Sequence, residues 1–294
     1  MAETLYAGFA RVDITPEIGG VPLAGYGGYL DPANRLAARV LDPINVHAVA
    51  VGDGKDTCVM LTIDICEMHY NVYYPWRKAI CDATGLPENR VFLGSTHTHS
   101  SIDICKDQLP AVKHYNEEEM PVKLADVAKR AIRDMKPAKL FYGAMEVGTP
   151  EIRMNWTRHY YSVEKEKVND YKPEDLHPAL GAFNKKDQYV QVEHHGETDH
   201  SLQLIRFARE NADDIILLNF AAHATITGGT YKTDMSADFP ETFIGRMEQL
   251  LPNVKCSFLQ GCCGNLVAGT RLAKDRAAKC LTTVMIPEAL DYPM

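Results

Sequence analysis

Short apolar runs of strand length alternate along this chain with longer stretches of helical periodicity, and some runs are joined by turns too short to hold a helix. Val46-His47-Ala48-Val49-Ala50-Val51 is followed by the turn Gly52-Asp53-Gly54-Lys55 and then by a second apolar run at 58–63. A turn of about four residues makes the two runs antiparallel neighbours. Residues 70–84 carry apolar side chains at helical spacing and stop at Gly85, a residue suited to a helix C-terminus. A buried strand at 90–95, a helix at 117–135 ended by Lys136-Pro137, and a strand at 138–147 follow. Beyond these the reading gives strands at 202–207, 215–220 and 255–259 and helices at 239–251 and 271–283. Strands alternating with helices predict the α/β class, and the tight turns predict a mixed β-sheet with flanking helices. No internal repeat is read. One domain over residues 1–294 is expected, with a polar insertion at about 150–198 that is rich in Tyr, Lys, Asp and Glu and carries little regular structure.

The apolar fraction of 46% suits a packed core, and a formal net charge of −8 with no basic block argues against nucleic acid as a partner. No apolar run reaches the roughly 18 residues of a membrane-spanning helix, so no integral membrane segment is expected. The first residues, Met1-Ala2-Glu3-Thr4-Leu5, do not read as an export signal, and a cytoplasmic location is expected. The eight cysteines (58, 66, 81, 105, 256, 262, 263 and 280) are therefore expected to be reduced, buried thiols, with Cys262-Cys263 packed in a tight loop.

Two apolar strands run straight into histidine. One leads into Thr96-His97-Thr98-His99-Ser100, the other into Ala221-Ala222-His223. On an extended segment His97 and His99 point to one face with α-carbons roughly 6.5–7 Å apart. Both imidazoles can then reach one ion, or one can hold it while the other handles a proton. Ligands delivered from distant strand ends are what a metal site needs, and the exits of buried strands are where α/β proteins place ligands. Asp64 and Asp238, each near a strand end or a helix start, are further candidates for the metal or for supporting its ligands.

Several motifs fall in one order, and together they resemble the N-terminal catalytic region of the neutral/alkaline non-lysosomal ceramidase family. Phe9-Ala10-Arg11-Val12-Asp13-Ile14-Thr15-Pro16 resembles its opening D-I-T-P strand, and Pro22-Leu23-Ala24-Gly25-Tyr26-Gly27 its glycine-rich segment. Leu41-Asp42-Pro43-Ile44 is similar to its H-D-P-L turn. The run from Thr84-Gly85-Leu86-Pro87 into Thr96-His97-Thr98-His99-Ser100 follows its T-G-I-P and T-H-T-H-S motifs. Asn219-Phe220-Ala221-Ala222-His223-Ala224-Thr225, Ser236-Ala237-Asp238-Phe239-Pro240 and Gln260-Gly261-Cys262-Cys263-Gly264-Asn265 resemble N-x-A-x-H-x-T, S-A-D-Y-P and Q-G-x-x-G-D. The match spans about residues 8–266.

The resemblance implies a zinc-dependent amidohydrolase acting on a small-molecule or lipid amide. It implies zinc ligation by His97 and His223, a catalytic role for His99 near the attacking water, and Arg158 near the scissile carbonyl. The chain departs from the family at Ser101-Ile102, where the family reads G-P, and at Asn265, where the family has Asp. The family's glutamate and tyrosine ligands lie beyond the last of these motifs, and no P-G-E segment follows here. The chain is accordingly expected to be part of a longer catalytic unit, with homo-oligomerisation through exposed apolar surface. Two rival expectations are a non-catalytic member that binds a ligand or partner, and an esterase of a small polar substrate.

Overall fold

The computed structural model describes residues 4–25, 35–147, 155–162, 189–194, 199–227, 232–264 and 266–268, and of 155–162, 189–194 and 267 the backbone alone. The chain runs through β1 (Tyr6–Asp13), β2 (Arg39–Val40), β3 (Asn45–Gly52), β4 (Thr57–Ile63), α1 (Tyr70–Thr84), β5 (Val91–Ser95), α2 (Pro110–His114), a π-helical turn (Tyr115–Glu119) and α3 (Met120–Arg133). It continues through β6 (Lys136–Glu146), β7 (Asn155–Ser162), β8 (Tyr189–His194), β9 (Ser201–Arg209), β10 (Asp214–Phe220), β11 (Asp234–Met235), α4 (Asp238–Leu250), β12 (Val254–Gln260) and β13 (Leu266–Ala268).

The main sheet has the strand order β12-β10-β9-β6-β1-β3-β4-β5. At its centre β1 and β6 pair only through Tyr6 with Pro137 and Ala7 with Lys136. Outward from this narrow join the two halves repeat one topology. β1, β3 and β4 are antiparallel neighbours, and α1 then carries the chain over to β5, parallel to β4. Likewise β6, β9 and β10 are antiparallel, and α4 leads to β12, parallel to β10. The sheet is mixed, as the sequence predicts, but it also holds a topological repeat that the sequence does not display.

Side-chain alternation shows how the halves lie. Val49 of β3 packs in one cluster with Phe207 of β9 and with Ile215 and Leu217 of β10. Its neighbours Ala48 and Ala50 point the other way, into a cluster with Leu124 and Val127 of α3. Ile216 and Leu218 likewise turn from the shared cluster into one with Phe243 and Met247 of α4. Successive residues of a strand face opposite sides. The two half-sheets therefore stack face to face, with α1 and α3 outside one and α4 outside the other. Across the stack Thr62 and Ser257 share a hydroxyl hydrogen bond of 2.8 Å, and Arg11 reaches Glu248 at 2.7 Å. Burial on both faces is why these strands read as unbroken apolar runs.

Two boundaries differ from the sequence reading. The helix expected at 117–135 begins earlier, at Pro110, because proline at a first helical position needs no hydrogen bond. Lys136-Pro137 opens β6 rather than ending the helix. Within the polar stretch, where little regular structure is expected, β7 and β8 pair antiparallel, and β13 lies on β7. The helix expected at 271–283 lies outside the described residues. Among the described residues no helix is long and apolar enough to cross a membrane.

Candidate metal centre

β5 ends against β4. There Thr96 N–H donates to Ile63 O at 3.0 Å and its hydroxyl to Asp64 Oδ1 at 3.0 Å. Asp64 Oδ2 accepts the Asn45 N–H at 2.8 Å. The next residue, His97, has a left-handed φ of 61°. The segment is therefore not a plain extension of the strand, and the turn at His97 re-aims the chain. Thr98 then bridges Ala224 in parallel, and His99 N–H donates to Ala224 O at 2.9 Å. Residue 224 follows His223 at the exit of β10. The histidine-bearing ends of the two half-sheets are thus tied together by backbone.

The three rings meet. Ring centroids are 4.8 Å apart for His97 and His99, 4.7 Å for His97 and His223, and 5.3 Å for His99 and His223. His97 Nδ1–H donates to Cys66 O at 2.6 Å. His223 Nδ1–H donates to Cys263 O at 2.6 Å and to Leu266 O at 2.9 Å. A carbonyl can only accept, so both imidazoles carry a proton on Nδ1, the tautomer that in the neutral ring leaves the Nε2 lone pair for a metal. Held this way by backbone, a histidine is oriented as metal-bound histidines are.

The loop behind His223 is pinned closely. Gln260 Nε2 donates to Ala222 O at 3.0 Å. A Cβ on Gly261 would lie 2.9 Å from Ala221 N, so only glycine lets the 261–264 loop come this near β10. The approach brings Cys263 inward. The ligand atoms of His97, His223 and Cys263 all lie within 4.8 Å of one another, and those of Cys66, His97 and His99 form a second such group.

His99 is packed under the segment before residue 26. Gly25, at φ +100°, passes so close that a Cβ there would lie 2.3 Å from His99 Cγ. Buried Arg35 donates to the His99 carbonyl at 2.5 Å and also to Ala24 O. Burial, followed by the neighbouring His97 and His223 and then Arg35, pushes the His99 pKa down to about 3. His99 is a neutral imidazole at ordinary pH.

Asp64 and Asp238 lie outside the two donor groups. Asp238, also left-handed at φ 63°, accepts Thr227 N–H at 2.6 Å and Phe239 N–H at 2.7 Å. Ser236 beside it donates its N–H to Ser100 O at 2.9 Å, and its carbonyl accepts the Thr98 hydroxyl at 2.8 Å. Asp42 of the Asp-Pro turn accepts from the Ser236 hydroxyl at 2.8 Å. Motifs far apart in sequence are therefore neighbours here. Arg158 lies on β7, where it pairs with Glu193; Thr157 beside it pairs with Leu266, whose carbonyl holds His223. The Arg158 side chain and all of Asn265 lie outside the described residues.

Sequence reasoning missed Arg35, Cys66 and Cys263. Cys263 was legible only as half of a vicinal pair, and the structure separates the two: Cys263 is buried and Cys262 exposed. Cys58 is exposed too, at the turn end of β4, and Cys81 and Cys105 are half-buried, so the expectation of buried thiols holds only for Cys66, Cys256 and Cys263 among the described residues. The seven described cysteines are free. A cleft of about 450 Å³ beside α4 is lined by Asp214 and Met247 among others, and so sits at the end of β10 away from His223.

No protein-family model matches the chain, and no curated protein does. Solved structures do. Neutral ceramidase from Pseudomonas aeruginosa superposes with a TM-score of 0.73 at 16% identity, over 99% of this chain and 45% of that one. A ceramidase complexed with C2 gives 0.72 at 14% identity, over 98% and 44%. This chain thus spans less than half the length of the structures it matches, and over that span its fold is the one found in neutral ceramidase.

Proposed function

We propose that this chain carries the metal centre of a zinc-dependent hydrolase of amide bonds, of the ceramidase kind. The observation that carries the reading is the matched support of His97 and His223: each has its Nδ1–H fixed on a backbone carbonyl at 2.6 Å, leaving Nε2 for a metal. Neutral imidazoles are ordinary zinc donors. A zinc ion held there supplies Lewis acidity that polarises a carbonyl and lowers the pKa of water toward about 7. His99 then handles the proton. Its Nε2 lies 3.3 Å from His97 Nε2, which places the ring beside the metal position to shuttle a proton from the attacking water to the leaving nitrogen. Arg158 is assigned to orienting the carbonyl, since its strand adjoins the backbone that holds His223. The substrate class is a small-molecule or lipid amide.

The test uses the purified chain. Elemental analysis should find zinc, and a fluorogenic N-acyl amide should be hydrolysed in preference to its ester counterpart; full zinc occupancy with fast turnover by a monomer would show that this chain suffices without a longer catalytic unit. His99→Ala should keep the zinc and lose turnover by on the order of 10²–10⁴-fold, the usual worth of a general acid–base. Hydrolysis of the ester alone would make the protein an esterase. Zinc binding with neither activity would make it a ligand-binding relative. Loss of zinc from His99→Ala would make His99 a ligand instead.

A further inference from the structure

We propose that Cys263 supplies a thiolate as the third protein ligand of this centre, beside His97 and His223. The inference rests on the metal reading above and adds a donor of different chemistry. Its ligand atom and those of the two histidines lie within 4.8 Å of one another. Tetrahedral ligation at about 2.1 Å to nitrogen and about 2.3 Å to sulfur spaces the donors roughly 3.5 Å apart. That is the spacing the three side chains must close to on an ion.

The backbone holds Cys263 in place for this. Its carbonyl accepts His223 Nδ1–H and, at 2.8 Å, the Leu266 N–H. Gln260 and the close pass at Gly261 fix the start of the same loop. Of the vicinal pair it is Cys263 that turns inward, while Cys262 faces solvent. The rival thiol, Cys66, lies 3.8 Å from His97 Nδ1, the nitrogen already committed to the Cys66 carbonyl. Cys66 therefore approaches the wrong side of that ring.

Ligation breaks the Cys263 Sγ–H bond and forms a metal–sulfur bond, with the proton leaving to solvent and the charge at the ion falling by one. A thiolate selects zinc, cobalt or cadmium over magnesium and manganese. Cobalt(II) reports it directly, because sulfur-to-cobalt charge transfer absorbs in the near ultraviolet and imidazole ligation does not. The cobalt-loaded chain should show this band. Cys263→Ser should lose it, while Cys66→Ser and Cys262→Ser should keep it. X-ray absorption of the wild-type zinc protein should show a sulfur neighbour at about 2.3 Å, a readout that needs no variant to fold. Cobalt taken up without the band, a band that survives in Cys263→Ser, or a zinc shell of nitrogen and oxygen alone would overturn the thiolate and leave the metal reading standing. A wild-type chain that binds neither zinc nor cobalt would remove both.

Discussion

His97 and Asp238 both sit at left-handed φ, a region that costs non-glycine residues on the order of 1–3 kcal/mol and persists where surroundings over-determine it. Around His97 the surroundings include Asp64, buried and hydrogen-bonded to Thr96 and Asn45. Burial, and then the negative charge of Glu241, raises the Asp64 pKa well above the ordinary carboxylate value. A raised folded pKa stabilises below the unfolded value of 3.8 and loses that contribution as pH climbs through the folded one. In the metal-free protein, Asp64→Asn should therefore gain stability relative to wild type as pH rises above 3.8. Melting temperatures of both proteins from pH 4 to 8 check this; a constant difference would mean that Asp64 is as ionised in the fold as in the unfolded chain. At this scale the sequence showed the histidines, because residue type and position after apolar strands suffice to suggest them. It could not show Arg35 or Cys263, whose importance lies wholly in which backbone each meets.

Single elements were legible where local chemistry fixes them. α1 spans the residues its periodicity predicts and ends on Gly85 at φ 73°, the left-handed stop that glycine permits. The paired runs around residues 52–57 form β3 and β4 in direct antiparallel register. β7 and β8 went unread although Val190-Gln191-Val192-Glu193 alternates apolar and polar residues, because the polar stretch around them hides so short a pattern. Two glycines separate local from tertiary demands. Gly245 lies inside α4 with open space where a Cβ would go, so Gly245→Ala should raise stability by about 0.5–1 kcal/mol. Gly25→Ala must instead push against His99 from a left-handed backbone, and should cost about 2 kcal/mol or more and displace that ring. Denaturant midpoints measure both. A Gly25→Ala protein as stable as wild type would contradict the packing of this segment on His99.

For the molecule as a whole, the arrangement of half-sheets was beyond sequence reading. A strand buried on both faces loses the alternation that would reveal its two sides, and two halves sharing a topology need share no motif. The stacking has its price in time rather than in strength. The β3–β4 hairpin closes on the order of 1–10 μs, being local. The Thr98–Ala224 bridge joins positions 126 apart (224 − 98), and such distant closures come late because chain entropy opposes them until much else has formed. A newly made or refolding chain should pass through a stage rich in strand and helix that is still a poor chelator. In a stopped-flow refolding experiment, uptake of zinc from a fluorescent indicator should lag the far-ultraviolet circular dichroism. Uptake as early as the first dichroism change would mean that one half assembles the centre alone. The lag, if measured, times the moment at which two independently ordered halves become one molecule.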